Sequence, residues 1–145
     1  MFDPDFKEFI ESLNKNGVDY LVVGGYAVAF HGYPRYTKDM DVWIRGDSAN
    51  AERLLRALKD FGFKEIDLRI ADLLEDETLI ELGYPPKRID LLTRLTGVDF
   101  ETAYPSRVEA DIGGVSANFI DLANLKKNKK TTGRHQDLAD LEQLE

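Results

Sequence analysis

The chain has no cysteine. That excludes a disulfide framework and any thiolate metal site, permits a reducing compartment, and leaves hard-cation chemistry on oxygen ligands open. No apolar run reaches membrane-spanning length. The opening stretch MFDPDFKEFIESL is acidic where a signal peptide would be basic and then apolar, so the expectation is a cytoplasmic protein with no membrane partner. Positive charge is in short supply, 19 Lys and Arg against 27 Asp and Glu for a formal net charge of -8, which disfavours broad, salt-driven binding along a nucleic-acid backbone. One basic patch runs against this balance: Lys126, Lys127, Lys129, Lys130 and Arg134. It reads either as a solvated helix end favoured by the helix dipole or as a seat for an anion. What is present suffices for a core, since 145 residues with 43% apolar and 32% charged content make one soluble globular domain. The expected division is a core at 1–120 followed by a helical segment at 121–145.

Residues 20–44, reading YLVVGGYAVAFHGYPRYTKDMDVWI, organise the rest. An apolar strand at 20–23 stops at Gly24 and Gly25, a short apolar helix follows at 26–31, and a Gly-Tyr-Pro break leads to a second strand at 39–44. Glycines at such a turn let backbone N–H groups approach a ligand with no Cβ in the way, and the following helix points its positive end at the same spot. That is phosphate-binding geometry. The strand period of two puts Asp39, Asp41 and Trp43 on one face and Met40, Val42 and Ile44 on the other. Two like charges at neighbouring positions of one face repel, so a structural role suits them poorly unless a cation lies between them.

The remaining elements follow from period and punctuation. Asp3 or Asp5 caps a helix to about Asn16 with Phe6, Phe9, Ile10 and Leu13 at helical spacing and Gly17 as its stop. His31 reads as a packed or rim residue, a phosphate donor being the rarer use. Pro34 makes 33–38 a loop, in which Arg35 and Lys38 either touch phosphate or balance the carboxylates. Asp47 or Ser48 caps a helix ending at Gly62, with Leu54, Leu55, Leu58 and Phe61 on one face. Residues 64–77 fit a strand or a helical turn equally. Strands are expected at 78–82 and 87–93, joined across 83–86, then a helical turn at 99–104 and a hairpin of 108–112 and 115–120 about Gly113 and Gly114. Two helices close the chain, broken near 131–133, the second carrying Leu138, Leu141 and Leu144. Strands and helices interleave without a regular βαβ repeat, so the class is α+β: a mixed central sheet backed by helices on one side, with the C-terminal helices closing one wall of a cleft.

The spacing of strand, Gly24-Gly25, helix and Asp39-Met40-Asp41 resembles the nucleotidyltransferase signature of the DNA polymerase β superfamily. Members carry a third catalytic carboxylate on a later strand, and KRIDLLT at 87–93 offers Asp90, on one strand face with Arg88 and Leu92. The tail, from Asn128-Lys129 through Gly133-Arg134 to Asp137 and Asp140, resembles the end of small single-domain nucleotidyltransferases, some of which act as toxins or antitoxins. The chain departs from the subgroup with Gly-Ser and Arg-x-Ser-Asp by Gly25 and by Lys38 before the first Asp. A haloacid dehalogenase reading fails because Asp39 starts its strand rather than following an apolar one, and a Rossmann reading fails for want of G-x-G-x-x-G.

The resemblance implies a metal-dependent nucleotidyltransferase that moves a nucleoside monophosphate from a nucleoside triphosphate to an acceptor and releases pyrophosphate. Two Mg2+ ions about 3.5–4 Å apart serve the attacking and leaving oxygens in such reactions. Asp39, Asp41 and Asp90 are the implied catalytic and metal-binding residues, and the N–H groups of Gly24 and Gly25 the implied phosphate ligands. Three carboxylates beside a triphosphate call for cations as well. The resemblance singles out Lys129 and Arg134, with Asp137 placed to orient Arg134 along one helix face. Trp43 either stacks on a base or packs beneath a helix. The acceptor stays open among a protein hydroxyl, an RNA end and a small molecule. The alternative is a non-catalytic or weakly catalytic module that binds a cognate protein partner, as in a toxin–antitoxin system.

Overall fold

Helix α1 (Pro4–Lys15) opens the computed structural model, which describes residues 4–32, 39–63, 69–74, 79–83 and 88–144. Its Phe6, Phe9, Ile10 and Leu13 are all buried, the stripe expected of an amphipathic helix against a sheet. Strand β1 (Tyr20–Val23) is buried throughout and runs straight into α2 (Gly24–Phe30), so the short helix starts at the glycines themselves rather than two residues later. Strand β2 (Met40–Ile44) follows, then α3 (Ser48–Phe61), whose first turn is capped by the Asp47 side chain accepting from Asn50 N at 2.7 Å. A single turn, α4 (Ile70–Leu73), takes the helical option where the sequence allowed two. Strands β3 (Leu79–Leu82) and β4 (Ile89–Leu92), helix α5 (Phe100–Ala103), strands β5 (Val108–Asp111) and β6 (Ser116–Phe119), and helices α6 (Leu122–Thr132) and α7 (His135–Leu144) complete the order. The expected loop at 33–38 with Pro34, Arg35 and Lys38, most of the ambiguous stretch 64–77 and the connection at 84–86 lie outside the described residues.

The six strands form one mixed sheet in the order β3-β4-β2-β1-β6-β5. Neighbours β1 and β2, β3 and β4, and β5 and β6 are antiparallel, while β2 runs parallel to β4 and β1 parallel to β6. The inner strands β1 and β2 are apolar and nearly fully buried, and the outer strand β5 alternates as a half-exposed edge does. Helices α1 and α3 pack on each other, Phe9 meeting Phe61 edge to face at 5.3 Å. They cover the face that carries Tyr20, whose hydroxyl donates to Asn14 Oδ1 of α1 at 2.9 Å.

Asn50 joins this layer to the sheet. Fully buried, it accepts from Asp19 N at 2.7 Å and donates to the carbonyls of Asp19 at 3.0 Å and Arg45 at 2.9 Å. It thereby binds the entry of β1 to the exit of β2 and satisfies backbone groups that burial would otherwise leave unpaired. Helices α5, α6 and α7 stand over the opposite face, the one carrying Asp41 and Trp43, so helices back both faces of the sheet and not the one side expected. Among the described residues no helix is long and apolar enough to cross a membrane.

Candidate active site

Strand pairing decides which carboxylates meet. Asp41 of β2 lies directly opposite Asp90 of β4, and Asp90 is in turn opposite Glu81 of β3, so acids from three adjacent strands line up across one face. Asp39 precedes β2 on that face. Among them reaches one guanidinium, that of Arg88: its Nη2 is 3.0 Å from Asp39 Oδ2, its Nε 2.9 Å from Asp90 Oδ1, and its Nη1 3.8 Å from Glu81 Oε2. The sequence placed Arg88 and Asp90 on a common face by period two. It did not show that Arg88 would bridge to Asp39.

Asp41 is left with the opposite electrostatics. Burial pushes its carboxyl up to about 7, and the charges of Asp90 and Asp39 add to the effect, as does its hydrogen bond with Asp90. Burial also raises Asp90, against the pull of Arg88. Of the three expected carboxylates only Asp41 lines the cleft itself, while Asp39 and Asp90 face Arg88. Trp43, next on the same face, is buried edge-on to Phe100 of α5 at 5.0 Å and packs beneath a helix rather than into the cleft.

The cleft holds about 700 Å³, a volume usual for small-molecule sites. Its floor is Val23, Gly24, Gly25 and Asp41. Gly24 has φ +66, and a Cβ there would collide with Asp41 Oδ2, so only glycine lets α2 begin hard against the carboxylate. No side chain caps the first turn of α2. One wall is the segment after β4, with Arg94, Leu95 and Thr96, none of which the sequence reading singled out. Asn128 Nδ2 holds that wall to α6 through Thr96 O at 2.9 Å, and at Gly97 the loop lies so close to Thr131 that no Cβ would fit. His31 takes the packed option of its reading, half-buried with its Nε2 2.7 Å from Ile120 O.

The other wall is the turn between α6 and α7. Lys129, only 5% exposed, places its ammonium 3.1 Å from Asp137 Oδ1 and 3.1 Å from Asp140 Oδ2. Arg134, with 77% of its side chain exposed, reaches Asp137 through Nε at 2.6 Å and Nη2 at 3.3 Å, the orienting contact anticipated from their spacing. Burial alone would raise the Asp137 carboxyl, but hydrogen bonds from Arg134, Thr132 and Lys129 hold it well below the usual carboxylate range. Both expected cations of the tail therefore line the cleft with Gly24 and Asp41, one buried between acids and one exposed. Lys127 and Lys130 are exposed, as a solvated helix end requires, while Lys129 is buried.

Among the described residues no three carboxylate or imidazole groups form a ready-made metal cage. The donor set nevertheless fits a hard divalent cation. It is all oxygen, it sets Asp41 opposite Asp90 on adjacent strands where a cation would relieve the repulsion that helps raise Asp41, and Gly24 leaves Asp41 Oδ2 uncovered.

Comparison with known proteins adds a family and a fold. The model of the aminoglycoside-2''-adenylyltransferase family matches residues 5–82, more than half of the 145. The match includes Gly24, Gly25, Asp39 and Asp41 and stops before Asp90 and the tail. No curated protein matches significantly. Among solved structures, a Thermotoga maritima protein assigned as a nucleotidyltransferase superposes with a TM-score of 0.64 at 17% identity, covering 98% of this chain and 93% of its own. An antigenic nucleotidyltransferase-like protein from Paracoccidioides brasiliensis gives 0.54 at 18% identity, covering 95% of this chain and 72% of its own. The fold is that of the nucleotidyltransferases.

Proposed function

The chain belongs to the aminoglycoside-2''-adenylyltransferase family, and from that premise we propose that it transfers a nucleoside monophosphate from a nucleoside triphosphate to a hydroxyl acceptor, releasing pyrophosphate. The observation that carries this reading is the placement of Asp41 opposite Asp90 on adjacent strands, against a glycine that brings the uncapped start of α2 to the same point. The family match ends short of Asp90, so the third carboxylate is supported by strand register and not by the match.

In this mechanism Asp41 and Asp90 would hold magnesium, and Asp39, which the structure pairs with Arg88, would complete the set. Bound there, magnesium supplies Lewis-acid activation of the acceptor hydroxyl and neutralises charge on the leaving pyrophosphate. The N–H groups of Gly24 and Gly25 donate to the phosphate tail. Arg134 supplies the planar donor that a phosphate takes in fork geometry, and Lys129 stands behind it, its charge taken up by Asp137 and Asp140. Until the ligand arrives, Arg88 neutralises Asp39 and Asp90 and so keeps the row of acids from repelling itself apart.

The family's name makes ATP the first donor to test and an aminoglycoside hydroxyl the first acceptor. The purified chain is incubated with magnesium, each nucleoside triphosphate in turn, and either an aminoglycoside or cell extract, and the products are weighed by mass spectrometry. The expected result is a species heavier by one nucleoside monophosphate, whose identity names the acceptor. Pyrophosphate release with no species gaining that mass would contradict transfer.

A further inference from the structure

Lys129 and Arg134 lie five residues apart and line the same cleft, yet their surroundings differ. The Lys129 ammonium is held by two carboxylates of α7 that are themselves sealed from solvent, Asp137 at 1% exposure and Asp140 at 0%. Asp140 also accepts from Gln136 Nε2 at 2.7 Å, and Asp137 from Thr132 Oγ1 at 2.7 Å. These two buried carboxylates take two of the three ammonium protons and more than balance its charge, so Lys129 offers a phosphate little attraction. Arg134 is not so enclosed. It is exposed, it rests on Asp137 through two nitrogens, and its backbone follows Gly133, where α6 ends.

Resting on the nucleotidyltransferase reading, we propose that Lys129 is a positioning residue that takes no phosphate itself. It clasps α7 through Asp137 and Asp140, and the clasp presents Arg134 to the cleft as the guanidinium that grips the triphosphate. Asp137 is the shared part, bonded on one side by the buried ammonium and on the other by the exposed guanidinium. Removing Lys129 takes away the ammonium that Asp137 and Asp140 share and leaves two neighbouring like charges on one face of α7, so the helix that follows Arg134 loses its seat on α6.

The test is a double-mutant cycle on ATP affinity, measured by calorimetry at fixed magnesium and well below the melting temperature of each variant. Arg134→Ala is expected to weaken binding about 10- to 100-fold, the range of a charge-assisted contact. Lys129→Met should weaken it by a comparable factor, and the double variant by no more than the worse single one, because both act through one contact. Losses that multiply would make Lys129 a direct ligand and overturn the proposal. A Lys129→Met variant that melts earlier but binds as the unaltered chain does would overturn it too.

Asp140→Asn provides the second arm and carries the cycle if Lys129→Met does not fold. It removes a negative charge from beside the cleft, so an effect of charge alone would tighten ATP binding. The clasp predicts weaker binding, again non-additive with Arg134→Ala. Tighter or unchanged binding would overturn the proposal. Failure of the unaltered chain to bind ATP or any other nucleoside triphosphate would overturn the functional reading and this assignment with it.

Discussion

Asp41 is the carboxylate whose charge the fold resists. Its carboxyl is pushed up to about 7 by burial and by Asp90 and Asp39, while in the unfolded chain it titrates near 4. Between those values the folded state holds a proton that the unfolded state has lost, so stability falls as pH rises from about 4 to about 7 and is level beyond. Asp41→Asn should abolish that loss: the variant should match the unaltered chain near pH 4 and melt higher at pH 8. A melting temperature lowered at pH 8 would show that the Asp41 charge stabilises the fold, contrary to this account. Asp39→Asn forfeits its contact with Arg88 at 3.0 Å, a partly exposed pair worth about 0–1 kcal/mol. Relief of repulsion is therefore predicted for Asp41 and not for Asp39. That Asp39 shares a strand face with Asp41, and Arg88 with Asp90, was legible because strand period fixes a side chain's face. The reach of Arg88 across to Asp39 was not, because it depends on which strands become neighbours.

Helix α7 shows where an element's pattern is legible and its orientation is not. Leu138, Leu141 and Leu144 recur at helical spacing and mark the helix, but Leu138 is 50% exposed while Asp137 and Asp140 are buried. The buried face was chosen by Lys129 on the preceding helix, an interaction that hydrophobic period does not encode. A buried charge pair broken by loss of one partner costs about 3–5 kcal/mol, enough to outweigh the burial of one leucine at about 1.5–3 kcal/mol. Helix α3 was fully legible by contrast, since its Asp47 cap, its apolar stripe and its Gly62 stop are all local signals. What its sequence concealed was Asn50, a buried amide bonded to both β1 and β2. Each buried group left unpaired costs about 1–3 kcal/mol, so Asn50→Ala should lower the unfolding free energy by about 3 kcal/mol or more in urea titrations. A loss under about 0.5 kcal/mol, the size of an ordinary surface substitution, would mean that these bonds do not stabilise the junction.

At the scale of the molecule, a chain of net charge -8 gathers Arg94, Lys129 and Arg134 along one cleft, with Asp41 and Asp137 among them. The sequence reading anticipated the hairpin about Gly113 and Gly114, the break at Gly133 and the mixed sheet, because turn residues and period announce them. The wall built from Arg94 and Thr96 went unread, since its place in the cleft follows from Asn128 and Gly97 anchoring a loop to a distant helix. The central claim is that Asp41 and Asp90, brought face to face beside Gly24, make this family member a nucleotidyltransferase. Its most direct test is transfer of α-phosphate label from ATP, with magnesium and both acceptor sources present, by the unaltered chain, Asp41→Asn and Asp90→Asn. The account predicts label on an acceptor with the unaltered chain and none with either variant, although both retain the circular-dichroism spectrum of the folded protein. Undiminished transfer by a folded Asp41→Asn or Asp90→Asn variant would contradict it.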